Sequence, residues 1–415
     1  MRNFAIGIKR IVAMKHILLF FIPLSLLSCE ILDNDPEKHV RDDDSTYIAL
    51  DEVARLLSSL PIHTAQLAEV HDAVTSSSCN GYDEEYTMDN LFTNPGAGVG
   101  DDTGTRSTEK YTNPLRDLIV EYVRSEHPTR SADSFSEDPD RFLEALQESD
   151  IQIYWPFSEN WDGDRMPIIT FDPENESSSN IGYKVISEAD GSHCVEEITV
   201  DEDMAKETPV WVINRNSDSQ YTSLELLRRE DPDWGSGGGN VIVRPENNGL
   251  ETRGNSSFRS LILKDFTMNR QYDSWFAGAS EFFVKIGSVE DFTAVTEAEL
   301  QLYNPLVTDF MIVVKRNQVG LPQPFNAVLV SEWTDQLTHC ALMITEDDGG
   351  TRTEWKCSAT VKINSKSYGF DLSIPFRTRD DIVWRGQLSD KWIEANNNLK
   401  GRFGDLNLTF EILEY

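Results

Sequence analysis

The spacing of apolar residues divides the chain into a helical stretch and two β-prone ones. Between residues 45 and 150 it is helical: Leu50, Val53, Leu57 and Leu60 mark one face of a helix that Pro61 stops. Leu67, Val70, His71 and Val74 repeat the stripe on a second short helix. Pro114 opens a third, through Leu115, Leu118, Ile119, Tyr122 and Val123. Asp138-Pro139 is an N-cap followed by proline in the first turn, and it starts a fourth through Phe142, Ala145 and Leu146. A polar, glycine-bearing loop over 96–112 separates the second helix from the third.

Over residues 151–230 the period falls to two. Ile151, Ile153 and Trp155 alternate, and residues 168–171, 183–186 and 210–213 are short β-prone runs. Residues 223–229 are predicted as one helix packing on this small mixed β region. Residues 231–257 hold too many Gly, Asn and Pro residues for a core and are expected to be a linker. From 258 to 415 the chain reads as all β: Leu406, Leu408, Phe410 and Ile412 face one way, with Asn407, Thr409 and Glu411 the other. The fold expected is therefore α+β and multidomain: a helical N-terminal region (45–150), a mixed β region (151–230), and a C-terminal antiparallel β-sandwich (258–415).

A two-residue turn at Asp348-Gly349 would set Cys340 opposite Cys357 on neighbouring strands. That leaves two alternatives, a cross-strand disulfide or two small thiols; Cys79 and Cys194 have no evident partner.

The amino terminus has another character. Its first 28 residues carry Arg2, Lys9, Arg10 and Lys15 with no acid, and an apolar run from 17 to 27 ends in Leu26-Leu27-Ser28-Cys29. A charged segment followed by a short apolar one describes a secretory signal. The Leu-x-small-Cys ending resembles that of bacterial lipoproteins, which implies lipidation at Cys29 after cleavage; Met14 is a second candidate start. Residues 29–44, rich in Asp and Glu, read as an acidic tether. They resemble the surface-export signal of lipoproteins in the Bacteroides group, the alternative being a charged linker with no address function. The location expected is the bacterial outer membrane, lipid-anchored, on the cell surface.

Composition adds exclusions. With 415 residues, 39% hydrophobic and 10% aromatic, the chain can fill cores, so wholesale disorder is excluded. Its 71 acidic against 37 basic residues give a formal charge of −34, and loss of the four basic residues of the signal takes it to −38. Electrostatic capture of nucleic acid is excluded on that balance.

Candidate chemistry is sparse. There is no Gly-x-Ser-x-Gly elbow, no Walker loop and no Cys-x-x-Cys. In His193-Cys194 and His339-Cys340 adjacent strand residues would face opposite ways, and His71 reads as a packed core histidine. Asn160-Trp161-Asp162-Gly163-Asp164 alternates oxygen ligands but lacks the glycine and closing acid of a calcium loop. Neither a metal nor a cofactor is expected. Tyr154, Trp155, Trp161 and Trp275 are the recognition candidates: exposed, they would stack on sugar or peptide; buried, they are core.

Four segments, Ser77–Met88, Ile153–Gly163, Tyr272–Phe283 and Phe403–Glu411, resemble an uncharacterised lipoprotein family of the Bacteroides group. That family has no assigned activity, so the resemblance implies a location and adds nothing on mechanism. The function expected is a membrane-tethered ligand-binding or adhesion protein, whose partners would be the membrane, through the lipid on Cys29, and an extracellular glycan or peptide. The alternatives are an exported hydrolase whose acid and base are carboxylates scattered in sequence, and a structural subunit of an envelope complex.

Overall fold

The computed structural model describes residues 47–101, 111–125, 138–175, 177–187, 193–216, 221–230 and 259–414. The signal with Cys29, the acidic tether and the 231–257 linker lie outside the described residues. Five helices occupy the N-terminal region: α1 (Leu50–Ser58), α2 (Thr64–Cys79), α3 (Met88–Thr93), α4 (Leu115–Arg124) and α5 (Pro139–Gln147). Their starts follow the sequence: Pro114 caps α4, and the Asp138 carboxylate accepts the Arg141 amide at the head of α5. A strand not read from the sequence, β1 (Glu85–Thr87), lies between α2 and α3.

Strands β2 (Ile151–Tyr154), β3 (Ile168–Phe171), β4 (Ser179–Ser187), β5 (His193–Asp201) and β6 (Val210–Arg215) join β1 in a six-stranded sheet of order β1-β2-β6-β3-β4-β5, with α6 (Glu202–Glu207) between β5 and β6. All pairings are antiparallel except β3 with β6. Period-two alternation sorts its side chains between two cores. Ile151, Ile153, Trp155, Trp211 and Ile213 point into the cluster made with the helices. Tyr154, Ile168, Val210 and Val212 point the other way, where they meet Trp275 and Phe276 from the C-terminal half. Each such aliphatic side chain, fully buried, contributes about 1.5–3 kcal/mol.

The C-terminal part contains α7 (Leu224–Glu230), β7 (Arg259–Met268), β8 (Ser280–Ser288), β9 (Leu306–Val314), β10 (Gln323–Trp333), β11 (Leu337–Glu346), β12 (Arg352–Ile363), β13 (Lys366–Arg377), β14 (Asp381–Ser389), α8 (Asp390–Ala395), β15 (Lys400–Phe403) and β16 (Leu406–Glu414). One antiparallel sheet runs β10-β7-β16-β15, and another β13-β12-β11-β8-β9 with β14 also on β11. Leu263, Phe266 and Phe410 of the first share one core with Phe282, Val284, Leu342 and Ile344 of the second, the packing of a sandwich. Residues 46–415 group as one unit.

Two local expectations are corrected. The helix at 223–229 exists as α7, but it packs beside β9: Leu224 enters the C-terminal core and Ser223 bridges Met311. The hairpin around Asp348-Gly349 does not close as a two-residue turn. β11 pairs with β12 only at Leu337 and His339, and from His339 to Glu346 the same edge belongs to β14. The reason lies in the turn: Gly349 and Gly350 both have positive φ, and the carbonyls of Gly349 and Thr351 accept the amides of Arg379 and Thr378. Cys340 therefore faces Leu388 and Cys357 faces Leu372, and both are free thiols, so the disulfide alternative falls. Burial pushes the Cys340 thiol up to about 12.

Candidate functional site

The recognition aromatics are placed first by what covers them. Tyr154 and Trp155 are each 1% exposed and Trp275 3%, so these three are interior and cannot stack on a ligand. Trp161 is half-buried: its ring lies 5.1 Å from His71 and 5.3 Å from Trp155, and its indole N–H donates to the Arg165 carbonyl. His71 is half-buried, its ring edge-on to Trp155 at 5.6 Å.

What the structure gathers instead is carboxylate. Between α2 and β2 four acids lie inside: Glu69, Asp83, Glu84 and Glu85. Glu69, on the inner face of α2, accepts the Tyr86 hydroxyl at 3.0 Å and the Leu115 amide at 2.8 Å. Burial pushes its carboxyl up to about 7, against those two hydrogen bonds. Glu85 accepts the Asn216 side-chain amide at 2.9 Å. Asp83 accepts the Ala279 amide at 2.8 Å through Oδ2, its other oxygen is buried without a hydrogen bond, and burial raises its pKa.

Glu84 is raised further than Glu69. Burial pushes it up to about 8, the Lys315 ammonium 4.0 Å away opposes the shift, and the neighbouring acids Asp83 and Glu159 reinforce it. Its Oε1 also accepts the Ser158 hydroxyl at 3.2 Å. Lys315 in turn donates to the Ser78 hydroxyl at the end of α2.

A second acidic group sits where the loop between β7 and β8 meets the end of β11. Asp273 lies in that loop, Glu346 is the last residue of β11, and Asp348 follows in the open turn. One carboxylate oxygen from each lies within 4.8 Å of the others. Glu346, at 0% exposure, sits in a strand flanked by Phe282 of β8 and Asp381 of β14, and neither of its oxygens accepts a hydrogen bond. Burial raises the pKa of both Asp273 and Glu346; the hydrogen bond between them raises Glu346 further and partly offsets the rise at Asp273. Next to them Arg377 pairs with the buried Asp347 at 3.3 Å, and its amide is accepted by Asp380 at 2.8 Å.

Residues 77–88, 153–163 and 272–283 meet in this region: the Glu84 carbonyl accepts the Trp155 amide and the Asp83 carboxylate accepts the Ala279 amide. Farther along the loop, Asp405 accepts both the Asn269 amide and the Arg270 guanidinium. Arg316 ties the centre: it pairs with Glu202 at 3.0 Å and donates to the carbonyls of Asp273 and Gly278.

Sequence reasoning missed these acids because consecutive Asp and Glu normally stay in water. One signal was present. Leu342, Ile344 and Glu346 share a strand face, so alternation alone turns Glu346 inward. For Asp83–Glu85 the flanking Tyr82 and Tyr86 were the only cue. Comparison with family models, curated proteins and solved structures finds no match.

Proposed function

We propose that the chain is an exported lipoprotein, held in the bacterial outer membrane by acyl chains on Cys29, that binds a glycan or peptide at the cell surface. The anchor rests on the basic segment, the apolar run and Leu26-Leu27-Ser28-Cys29. On this reading the helical region, the mixed β region and the sandwich are three folded units carried beyond a short acidic tether. The observation that carries the binding reading is the β12–β13 ribbon. It carries an open depression of about 370 Å³ lined by Arg352, Thr353, Glu354, Ser373 and Pro375. Charged and hydroxyl groups on a rigid two-stranded ribbon suit hydrogen bonding to an extended polar ligand, with neither an enclosed cleft nor an acid pair at hand. With Tyr154, Trp155 and Trp275 interior, this surface replaces them as the recognition face.

The test is a glycan and peptide array probed with the purified mature chain, with product analysis of every hit. Binding without turnover, weakened by Arg352→Ala and Glu354→Ala, is expected; turnover of a hit would overturn the binding-only reading. For the anchor, labelled palmitate should enter the wild type and fail to enter Cys29→Ala.

A hydrolase stays as the second reading on one specific observation: burial pushes the Glu84 carboxyl up to about 8, and the Glu159 carboxyl lies beside it. If turnover is found, Glu84→Gln and Glu159→Gln should abolish it.

A further inference from the structure

We infer that Asp273, Glu346 and Asp348 form a binding site for one calcium ion, which fastens the loop between β7 and β8 to the end of β11. Three independent segments bring one carboxylate oxygen each to within 4.8 Å of the others. Calcium, with ligands at about 2.3–2.6 Å in a flexible shell of six to eight oxygens, is compatible with that spacing. Magnesium demands a near-ideal octahedron and sheds its waters reluctantly, which suits three carboxylates from separate segments less well.

The independent pointer to a ligand is Glu346 itself. It is wholly inaccessible and aimed at Asp273, with which it shares a hydrogen bond, and among the described residues no donor outside that pair reaches either of its oxygens. A buried carboxylate with no donor is costly, and two facing each other more so. The donors nearby are committed or too few. Ser280 serves Asp273, and the Asp381 amide serves Asp348. Arg316 is held by Glu202 and two carbonyls, and Arg377 by Asp347. Among the described residues no Lys, Arg or His forms an ion pair with Asp273 or Glu346, and Asp348 has only the more distant charge of Arg379 to favour its ionised form. Asp348 is exposed, so the group opens to solvent on one side, giving an ion its entry and water a place to complete the shell.

The site would join two parts of the fold. The loop that carries Asp273 also carries Trp275 and Phe276, which pack on the outer face of the first sheet. Trp275 donates to the Ser178 carbonyl, and Asn214 of β6 donates to the carbonyls of Phe276 and Ala277.

The experiment uses the full mature chain, stripped with chelator and titrated with calcium chloride by calorimetry, with thermal unfolding in parallel. One ion per chain is expected, a rise in Tm with calcium, and a smaller rise with magnesium at equal concentration. Asp348→Asn, at an exposed position, should weaken calcium affinity about tenfold or more while leaving the Tm in chelator unchanged. Glu346→Gln should abolish the calcium response and leave the Tm in chelator close to that of the wild type, because burial already favours a neutral side chain there when no ion is bound. Absence of calcium binding by the wild type would overturn the inference and assign the pair a shared proton instead. Binding that survives both substitutions would also overturn it, by placing the ion elsewhere on this acidic surface.

Discussion

Glu69 offers the sharpest test of how the buried acids act on stability. Its ordinary pKa of 4.5 is raised to about 7 in the fold, chiefly by burial. A raised acid holds its proton in the folded state after the unfolded chain has lost it. Stability is therefore greatest below pH 4.5, falls as pH rises from 4.5 to about 7, and is flat above. The shift of 2.5 pH units, from 4.5 to about 7, corresponds to roughly 3 kcal/mol, of which about 2.5 kcal/mol falls between pH 5 and 8. Glu69→Gln isolates this contribution. Its carbonyl oxygen can accept the Leu115 amide at the head of α4, and its amide can donate to the Tyr86 hydroxyl, which already accepts the Gly96 amide. Urea unfolding of both proteins at a series of pH values gives the difference in free energy at each. That difference should move in favour of Gln by roughly 2.5 kcal/mol from pH 5 to pH 8. If it stays constant within about 0.5 kcal/mol, Glu69 is not held protonated by burial.

Other outcomes follow from single contacts. Gly278 has φ +128°, and a Cβ there would stand 2.7 Å from Asp83 Oδ2, so Gly278→Ala should cost about 1–3 kcal/mol in chemical denaturation. Trp155→Ala empties the core between helices and sheet and should cost about 3–5 kcal/mol; a loss below about 1 kcal/mol would mean the ring is not interior. In the native protein a thiol reagent should label the exposed Cys79 and spare Cys340 until the chain is unfolded, and peptide mapping should find no link from Cys340 to Cys357.

The parts of the fold readable in the sequence are those with one exposed and one buried face. α1, α4 and α5 carry clean stripes, α4 and α5 are capped by Pro114 and Asp138, and each helix lies within about two residues of where periodicity puts it. β16 alternates as its sequence does, with Leu406, Leu408 and Phe410 inward. The edge strand β1 was hidden because it is three residues long and two-thirds acid and tyrosine, with no alternation to detect. β11 misled for the opposite reason. Buried on both faces, it carries apolar residues at every position from Cys340 to Ile344, so nothing in its own pattern says which strand pairs with it. The register was inferred from the turn, and the turn is opened by hydrogen bonds to residues 378 and 379, about thirty positions away. The acids were misread because composition treats a carboxylate as surface. The net charge of −34 counts Glu69, Asp83, Glu84 and Glu346 as surface, whereas burial favours the neutral form at each of them.

That correction changes how the two halves of the chain relate. The loop between β7 and β8 spans about ten residues, yet every few positions it makes a contact that a mere connector would not need. Arg270 reaches Asp405 on the first sandwich sheet, Asp273 reaches Glu346 on the second, and Trp275 and Phe276 close the outer face of the N-terminal sheet. Ala279 then donates its amide to Asp83, behind the turn that follows α2. Apolar burial at Trp275 and Phe276 is non-directional and would tolerate small shifts of one sheet against the other. The hydrogen bonds at Ala279, Phe276 and Ala277 are directional and would not. A change in charge at Asp273 or Asp83 therefore bears on the same few ångströms of backbone from opposite ends. The mixed β region and the sandwich are held in register by that loop, so occupancy of the Asp273–Glu346 centre and packing of Trp275 should stand or fall together.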